Sequence, residues 1–197
     1  NSSAASDVYK RQVNHILQTE KWTSPELFKT KNRIYTFLNP VSYLIALENK
    51  SLFEQFDGIF ADGSLLVSAI RLVYGKRVTR RSFDMTSLAP ELLNYLMESR
   101  KTLYIVASGQ EQVECSVRIF QEQYPELHIA GFRNGYFSSD AEMNKEASHI
   151  VELNPDFLIV GMGALMQEKF LLKVKKMGYQ GIGFTSVSYT HLTLPTN

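Results

Sequence analysis

The sequence contains little of what several protein classes require. Among its 197 residues the single cysteine is Cys115, which excludes an intrachain disulfide framework and any zinc site built from cysteines. No apolar run approaches the roughly 18–20 residues that cross a bilayer as a helix. The longest run, residues 157–166, is interrupted by Gly161 and Gly163. One cysteine and no spanning segment are typical of a protein in the reducing cytoplasm.

Charge of one sign and ligand-binding motifs are equally scarce. The 21 Lys and Arg residues balance 20 Asp and Glu residues, so the chain lacks the basic excess of a nucleic-acid-binding protein, and we expect no nucleic-acid partner. The four histidines are scattered without the spacing of metal ligands, and no Asp-x-Asp pair is present. A P-loop is also absent. We therefore expect neither a metal ion nor a cofactor.

What the chain does contain is typical of one globular domain. Hydrophobic residues make up 44% and aromatic residues 12%, which suits a sizeable core. β-prone runs alternate with helical segments of about 10–15 residues, an order that predicts an α/β fold with a parallel sheet. The predicted strands are 34–38, 56–60, 103–107, 127–131, 157–160 and 181–185. The predicted helices are 42–49, 64–74, 86–99, 111–123, 140–153 and 166–177.

Apolar residues recur at a helical period of about 3.6 residues in two of these segments. Segment 64–74 carries Leu65, Ala69, Leu72 and Val73. Segment 111–123 carries Val113, Val117 and Phe120 on one face. Cys115 falls near that face, and we expect an inert thiol.

Small and polar residues closely follow the predicted strands. Because the carboxyl ends of parallel strands meet at one edge of a sheet, and ligands bind beyond that edge, these residues should line one site. They are Asn39, Asp62, Ser108, Gly109, Gly135 and Gly163. The pattern predicts a bound small molecule, often a nucleotide, without identifying a reaction.

Asp62 and Asn39 each allow two interpretations. Asp62 either caps the following helix, which the spacing alone favours, or acts as a general base or as a ligand for a hydroxyl or a metal. Gly63 would let the backbone approach a ligand closely. Asn39, before Pro40, either caps the next helix or hydrogen-bonds a ligand, and the spacing leaves both open.

Three further positions are ambiguous in the same way. Asp84 follows three arginines and lies either in a solvated loop with ion pairs or in a loop that contacts a sugar or phosphate. Gly-Met-Gly at 161–163 resembles half of a phosphate-binding turn, but the full GxGxxG is absent because residue 166 is Met. Gln167 and Glu168 either supply helix N-terminal polarity or read a uracil edge or a sugar hydroxyl.

The two ends of the chain do not read as part of the domain. Residues 1–12 and 188–197 resemble peptides translated from sequencing adapters, which occur at the ends of assembled reading frames. The other interpretation is a genuine flexible N-terminus and a genuine C-terminal strand. Because of the resemblance, we expect the domain to occupy residues 13–187 and its native continuation to be cut off near Ser186.

Five segments, taken in order, carry a resemblance to a known family. They are Phe-Leu-Asn-Pro (37–40), Ala-Asp-Gly (61–63), Arg-Val-Thr to Phe-Asp (77–84), Tyr-Pro-Glu-Leu to Gly-Tyr-Phe (124–137) and Leu-Ile-Val-Gly-Met-Gly-Ala-Leu-Met-Gln-Glu (158–168). Together they resemble the WecG/TagA/CpsF family, glycosyltransferase family twenty-six. The resemblance covers roughly residues 34–185, and the ordered set is more specific than any single motif.

The resemblance implies both a fold and an activity. Family members are bacterial, with a Rossmann-like parallel sheet and a small lobe, here expected at the N-terminus. They are inverting, metal-independent enzymes that move N-acetylmannosamine, its uronic acid or a related hexose from a UDP-sugar to a polyprenyl-diphosphate-linked sugar acceptor. Their products include teichoic acid linkage units, enterobacterial common antigen and exopolysaccharide. The implied location is cytoplasmic, peripheral at the inner face of the plasma membrane, with a possible homo-oligomer.

Matched residue by residue, the resemblance gives Asp62 the role of general base toward the acceptor hydroxyl. Asn39 matches the asparagine at the first strand end, and Gly135 with Tyr136 matches a Gly-Tyr-Phe turn. Gln167 and Glu168 match the end of a Pro-x-Gln-Glu signature near the nucleotide sugar. The expected substrate-binding residues are Asn39, Gly63, Asp84, Ser108, Gly109, Gly135, Tyr136, Gly163, Gln167 and Glu168.

Three departures from the family pattern affect these expectations. Phe37 stands where many members have Thr, and Leu165 stands where the signature has Pro, with Met166 rather than Lys before Gln167. The family's C-terminal segment, which supplies membrane attachment and arginines for the leaving diphosphate, is not found here. We therefore expect membrane contact through that missing segment, and in this chain weak donor binding with poor turnover.

One interpretation from another class stays open, a non-catalytic nucleotide-binding α/β domain. The variant Asp62→Asn would distinguish it from a transferase. A dehydrogenase is disfavoured because the glycine fingerprint is incomplete.

Overall fold

The computed structural model describes residues 24–186. Six strands form one sheet: β1 (Arg33–Leu38), β2 (Gly58–Ala61), β3 (Thr102–Ala107), β4 (His128–Arg133), β5 (Phe157–Gly161) and β6 (Ile182–Thr185). All neighbouring strands are parallel, in the spatial order β2-β1-β6-β5-β3-β4. The predicted α/β fold with a parallel sheet is confirmed.

Eight helices accompany the sheet within these residues. They are α1 (Ser24–Lys29), α2 (Pro40–Glu48), α3 (Lys50–Phe53), α4 (Ser64–Tyr74), α5 (Leu88–Ser99), α6 (Gln110–Gln123), α7 (Asp140–Leu153) and α8 (Met166–Lys176). Each predicted strand and helix is present with its ends shifted by two residues at most. The short helices α1 and α3 were not predicted. The terminal segments 1–12 and 188–197, predicted to be non-native, lie outside the described residues.

The helices cover both faces of the sheet, as a sheet buried on both sides requires. On one face, called here the first face, α2, α3, α4, α7 and α8 pack through Tyr43, Phe53, Ile70, Ile150 and Phe170. On the second face, α1, α5 and α6 pack through Phe28, Leu92 and Phe120. No helix within residues 24–186 is both long and apolar enough to cross a bilayer.

The half-buried carboxylate of Asp57, directly before β2, joins the amino end of β1 to α8. Asp57 accepts hydrogen bonds from Arg33 Nη1 at 2.6 Å, from Ile34 N at 2.9 Å and from Lys175 Nζ at 2.6 Å. Burial raises the pKa of Asp57, but the hydrogen bonds from Lys175, Ile34 and Arg33 outweigh it and hold the pKa below its usual value. Asp57 therefore fixes the amino end of β1 against α8, at the opposite end of the sheet from the carboxyl ends of the strands.

Helix α4 is present at its predicted bounds, but it buries other residues than those from which it was predicted. Leu66 and Ile70 are buried, whereas Leu72 is 87% exposed and Leu65 71% exposed. The reason is its position: α4 follows β2, the edge strand of the sheet, so only a narrow stripe of the helix finds a surface to cover. In α6, by contrast, the predicted face of Val113, Val117 and Phe120 is buried as expected. Cys115 of α6 is half-buried.

Residues 75–87, between α4 and α5, run past the carboxyl ends of the strands. Arg80 forms a parallel bridge with Ala61, the last residue of β2. Phe83 then stacks on Phe184 with ring centroids 5.3 Å apart, and its ring lies 5.8 Å from that of Phe37. Phe37 and Phe184 lie near the carboxyl ends of β1 and β6. Phe83 therefore covers the second face of the sheet next to the carboxyl ends of these two strands.

Candidate active site

The carboxyl edge of the sheet gathers the residues that were predicted to follow strands. Asn39 follows β1, Asp62 and Gly63 follow β2, and the other predicted residues follow β3, β4 and β5: Ser108, Gly109, Gly135 and Gly163. Because all six strands are parallel, these segments lie along one edge, as expected. Their roles toward a substrate stay predictions.

The strand order places a topological switch point between β3 and β5, and the space beyond these two strand ends is called here the crevice. The chain leaves β3 toward α6 on the second face and leaves β5 toward α8 on the first face, so the two connections diverge. Ser108 N donates to Gly161 O at 3.0 Å and ties the two strand ends together at the bottom of the crevice. Such a switch point is where open α/β sheets bind their ligands.

Gly135 lies against one wall of this crevice. A Cβ at residue 135 would stand 2.9 Å from Met162 Cγ and 3.4 Å from Ser108 N, so the loops after β3, β4 and β5 approach one another closely there. Gly135 N also donates to Ser108 O at 2.8 Å. Next to it, the Tyr136 side chain is largely exposed, which leaves its ring available to a ligand.

Asp62 lies at the other end of the edge, beside Asn39. Asp62 N donates to Leu38 O at 2.8 Å, which places the half-buried Asp62 next to the end of β1. The N-cap position of α4 is occupied by Gly63, not by Asp62, and Gly63 has a φ of 95°, a conformation that favours glycine. The aspartate is therefore held by backbone geometry at the first residue beyond β2.

Asn39 does cap the following helix. Its Oδ1 accepts from Ser42 N at 2.9 Å, and its backbone N–H donates to Ser42 Oγ at 2.8 Å, with Pro40 at the first helical position. The cap uses the amide oxygen, whereas Nδ2 has no hydrogen-bond partner among residues 24–186. Asn39 can therefore cap α2 and still donate to a ligand, so its two interpretations are compatible.

Asp84 lies in the connection that passes the carboxyl edge, one residue after the buried Phe83. Its Oδ1 accepts from Thr86 N at 2.8 Å and from Thr86 Oγ1 at 2.7 Å. Burial raises the pKa of Asp84, but the hydrogen bonds from Thr86 help to outweigh it and the pKa lies below its usual value. Asp84 is thus a structural anion that orders the turn before α5, and a substrate contact for it stays a prediction.

Gln167 and Glu168 are buried beneath the edge rather than displayed on it. Glu168 is fully buried and bonded on both oxygens: Oε1 accepts from Thr36 Oγ1 at 2.8 Å and from Gln167 Nε2 at 3.1 Å, and Oε2 accepts from Leu165 N at 2.7 Å. Thr185 Oγ1 donates to Thr36 Oγ1 at 2.8 Å. These residues, called here the Glu168 network, join β1, β6 and the start of α8.

Burial raises the pKa of Glu168, and the hydrogen bonds from Gln167 and Thr36 offset only part of the effect. Two polar atoms around the network lack partners among the described residues although they are buried, Gln167 Oε1 and Ser186 Oγ. A buried unpaired acceptor is costly, which makes Gln167 Oε1 a candidate for a ligand or water contact.

Sequence reasoning did not find Thr36 and Thr185. Both are fully buried in strands whose other buried residues are hydrophobic or glycine, Arg-Ile-Tyr-Thr-Phe-Leu and Ile-Gly-Phe-Thr. A threonine inside a buried strand was the available signal, because a buried hydroxyl requires a partner. Within residues 24–186 no three His, Cys, Asp or Glu side chains are grouped so that they could hold a metal ion.

Leu165, which stands where the Pro-x-Gln-Glu signature has proline, adopts an unusual backbone conformation. Its φ is 72°, in the left-handed region that side chains other than glycine and asparagine seldom adopt. A proline ring fixes φ near −65°. The loop before α8 therefore has a backbone that the proline of the Pro-x-Gln-Glu signature could not adopt.

Comparison with known proteins agrees with this architecture. The model of the Glycosyl transferase WecG/TagA/CpsF family matches residues 11–185. A UDP-Gal:alpha-D-GlcNAc-diphosphoundecaprenol beta-1,4-galactosyltransferase of Shigella boydii is 28% identical over 174 residues, 88% of this chain and 69% of the relative. An N-acetylglucosaminyldiphosphoundecaprenol N-acetyl-beta-D-mannosaminyltransferase of Bacillus subtilis (strain 168) is 25% identical over 142 residues, 70% of this chain and 53% of the relative.

A Staphylococcus aureus (strain NCTC 8325 / PS 47) protein with the same name as the Bacillus relative is 25% identical over 146 residues, 73% of this chain and 56% of the relative. The chain thus spans about half of the mannosaminyltransferases' length and somewhat more than two thirds of the galactosyltransferase's. The family match covers most of the chain. The chain therefore belongs to the WecG/TagA/CpsF family of glycosyltransferases.

Proposed function

We propose that this chain transfers a hexose from a UDP-sugar to a polyprenyl-diphosphate-linked sugar, with inversion, without a metal ion, and with Asp62 as general base. The observation that carries the proposal is the position of Asp62, beside Asn39 at the carboxyl edge of a parallel sheet with a switch point between β3 and β5. The named activities of the relatives supply the acceptor class, since both act on GlcNAc-diphosphoundecaprenol.

The nucleotide would occupy the crevice between β3 and β5. Helix α6 begins there at Gln110, directly after Ser108 and Gly109, and its amino end favours the negative charge of a diphosphate. Three strand spacings separate β5 from β2, about 14 Å at the usual distance between strands. A nucleotide sugar lying along the edge would thus extend from the crevice past Asn39 to Asp62.

The reaction at Asp62 would be a single displacement. The carboxylate takes the proton of the acceptor hydroxyl, the hydroxyl oxygen forms a bond to the anomeric carbon, and the bond from that carbon to the UDP oxygen breaks. UDP leaves with the electron pair, and the amino end of α6 stabilises its charge. Attack from the face opposite the leaving group inverts the anomeric centre.

The names of the relatives support inversion but leave the sugar open. One relative makes a β-galactosyl linkage from UDP-Gal and the other an N-acetyl-β-mannosaminyl linkage. A donor whose diphosphate is in the α configuration gives a β product only by inversion. The choice between galactose and N-acetylmannosamine depends on contacts to the sugar ring, so UDP-galactose and UDP-N-acetylmannosamine are the first donors to test.

The Glu168 network would support the site from below. Glu168 accepts from Leu165 N and thereby fixes the loop that carries Gly163 toward the crevice. Gln167 Oε1, buried and unpaired, is the atom of this pair best placed to accept from a donor hydroxyl or a uracil N–H. In this arrangement Glu168 is a positioning residue and Gln167 is the one that touches substrate.

The proposal is tested with Asp62→Asn and a matched control. Single-turnover transfer to a GlcNAc-diphosphate lipid, with enzyme in excess, detects slow chemistry. Thermal shift with each UDP-sugar reports donor binding separately. We expect Asp62→Asn to slow transfer about 10²–10⁴-fold while the donor-induced shift is unchanged. Glu122→Gln, on the exposed carboxyl end of α6, should retain the wild-type rate.

Three results would contradict the proposal. Transfer by Asp62→Asn at the wild-type rate would remove Asp62 as base. Donor-induced stabilisation without any transfer by the wild-type chain would favour a non-catalytic nucleotide-binding domain. Loss of transfer in EDTA would contradict metal independence.

The proposed place of action follows from the proposed acceptor. A polyprenyl-diphosphate sugar stays in the membrane, so the enzyme would act as a peripheral protein on the cytoplasmic face, where nucleotide sugars are made. The products would be intermediates of cell-surface polysaccharide.

A further inference from the structure

The outer surface of α4 exposes large apolar side chains that no described element covers. Leu65, Leu72 and Val73 are all more than two thirds exposed, and Val41 and Leu44 on α2 are exposed on the same face of the sheet. Single exposed apolar residues are ordinary on protein surfaces. Three on one helix of eleven residues form an apolar surface, called here the α4 patch.

The topology explains why this helix is not needed to cover the core. Strand β2 lies at one side of the sheet, and the next strand along the chain, β3, lies four positions away. The connection from β2 to β3 therefore crosses the sheet, and its helix α5 packs on the second face. Helix α4 precedes the crossing and lies on the first face next to the edge strand. It is an additional helix, attached to the domain through the buried Leu66 and Ile70 and the partly buried Val67 and Tyr74, and it exposes its other large apolar residues.

The surroundings of the α4 patch are strongly basic. Residues 63–83 contain five Lys or Arg residues and no Asp or Glu, in a chain whose overall charge is +1. Arg71, Lys76 and Arg77 form no ion pair within residues 24–186. Exposed apolar side chains flanked by unpaired cations are the pattern of a helix that lies in an anionic membrane surface.

The same charges argue against a second copy of the chain as the occupant. A two-fold dimer brings identical surfaces together, so the cations beside the patch would face the cations of the other copy. Anionic phospholipid complements both features, since acyl chains accept the apolar residues and phosphates accept the cations.

We propose that α4 docks on an anionic phospholipid surface, with Leu65, Leu72 and Val73 among the lipid chains and Arg71, Lys76 and Arg77 on lipid phosphates. Leu65 is the third residue after Asp62, so the patch begins at the carboxyl edge of the sheet. Resting on the proposed function, this orientation would bring the edge to the diphosphate of an acceptor held in the same membrane.

The test is co-sedimentation of the whole chain with vesicles of phosphatidylcholine, with and without phosphatidylglycerol. We expect binding that requires phosphatidylglycerol. The double variant Leu65→Ser/Leu72→Ser should lower the partition coefficient about tenfold or more, because two side chains no longer enter the lipid. Arg71→Gln/Arg77→Gln should lower it about fivefold for each charge.

Matched controls separate the patch from general effects. Leu153→Ser removes a partly exposed leucine of α7, and Arg118→Gln removes an exposed cation of α6 on the second face. Both should bind vesicles like the wild type. Circular dichroism should be the same for all variants, since the substituted side chains are exposed.

Two results would overturn the proposal. The first is vesicle binding by Leu65→Ser/Leu72→Ser equal to that of the wild type. The second is absence of vesicle binding together with a wild-type dimer that this double variant converts to monomer, which would assign the patch to self-association. Vesicle binding needs no sugar transfer, so a chain that binds vesicles and fails to transfer sugar would refute only the proposed function.

Discussion

Replacing Glu168 tests how much its buried carboxyl group contributes to the stability of the fold beneath the carboxyl edge of the sheet. In Glu168→Ala three buried donors lose their acceptor: Leu165 N, Gln167 Nε2 and Thr36 Oγ1. At about 1–3 kcal/mol for each unsatisfied buried group, the loss is about 3 kcal/mol or more, and the cavity left by the side chain adds to it.

Glu168→Gln should cost much less. The glutamine oxygen can accept from Leu165 N, and its amide can donate to Thr36 Oγ1 and to Gln167 Oε1, an atom with no described partner in the wild type. This exchange turns the Gln167 amide over, so Nε2 replaces Oε1 as the buried atom without a described partner, and the number of unpaired atoms does not rise. We expect a cost below about 1 kcal/mol at acid pH, where a protonated Glu168 is the appropriate comparison.

The free energies of unfolding of the wild type and of Glu168→Gln should depend on pH in different ways. Because burial raises the pKa of Glu168, the folded chain binds its proton more tightly than the unfolded chain. The stability that Glu168 contributes is therefore complete below pH 4.5, the ordinary value for Glu, and is lost as the pH rises through the folded pKa. Within that window the wild type should lose up to about 1.4 kcal/mol per pH unit relative to Glu168→Gln.

Urea unfolding followed by circular dichroism between about pH 5 and pH 8 measures this difference. Taking the difference between the two proteins cancels the other titrating groups. Parallel stability curves would refute a raised pKa for Glu168. A cost for Glu168→Gln equal to that of Glu168→Ala would refute the hydrogen-bond exchange with Gln167.

Two further predictions concern the loop before α8 and Asp57 at the amino end of β1. Leu165→Pro, which introduces the residue of the family signature, should destabilise the fold by about 3 kcal/mol or more. Proline cannot adopt a φ of 72°, and it lacks the N–H that donates to Glu168. An unchanged melting temperature would contradict this prediction. Asp57→Asn should cost about 2 kcal/mol at neutral pH, because it removes the negative charge between Arg33 and Lys175 and replaces one of their two acceptor oxygens by an NH2 group. Since the pKa of Asp57 is lowered in the fold, that cost should shrink below pH 3.8 in urea titrations, and a cost independent of pH would contradict the assigned charge.

The fold and the edge residues could be predicted because their signals are local. Strand ends are marked by Asn-Pro, Asp-Gly and Ser-Gly, and a parallel sheet brings such ends to one edge whatever the strand order. The order itself, with β6 between β1 and β5, depends on long-range pairing that no short pattern encodes.

What prediction missed depends on contacts between distant segments. Thr36, Glu168 and Thr185 lie on three elements, and the hydrogen bonds among them join residues 132 and 149 positions apart. The outward face of α4 was missed for another reason: the helix has two apolar stripes, and only its position beside an edge strand decides which one is buried. α6 has a single stripe, so its buried face could be predicted.

The position of β6 has a consequence for how the domain assembles during synthesis. The last described strand to leave the ribosome is inserted between β1 and β5, so until it emerges the chain holds two separate half-sheets, β2-β1 and β5-β3-β4. Each half exposes an unpaired strand edge in the interval, the state in which chains associate wrongly. Residues 182–185, only four in number, thus complete the cooperative unit.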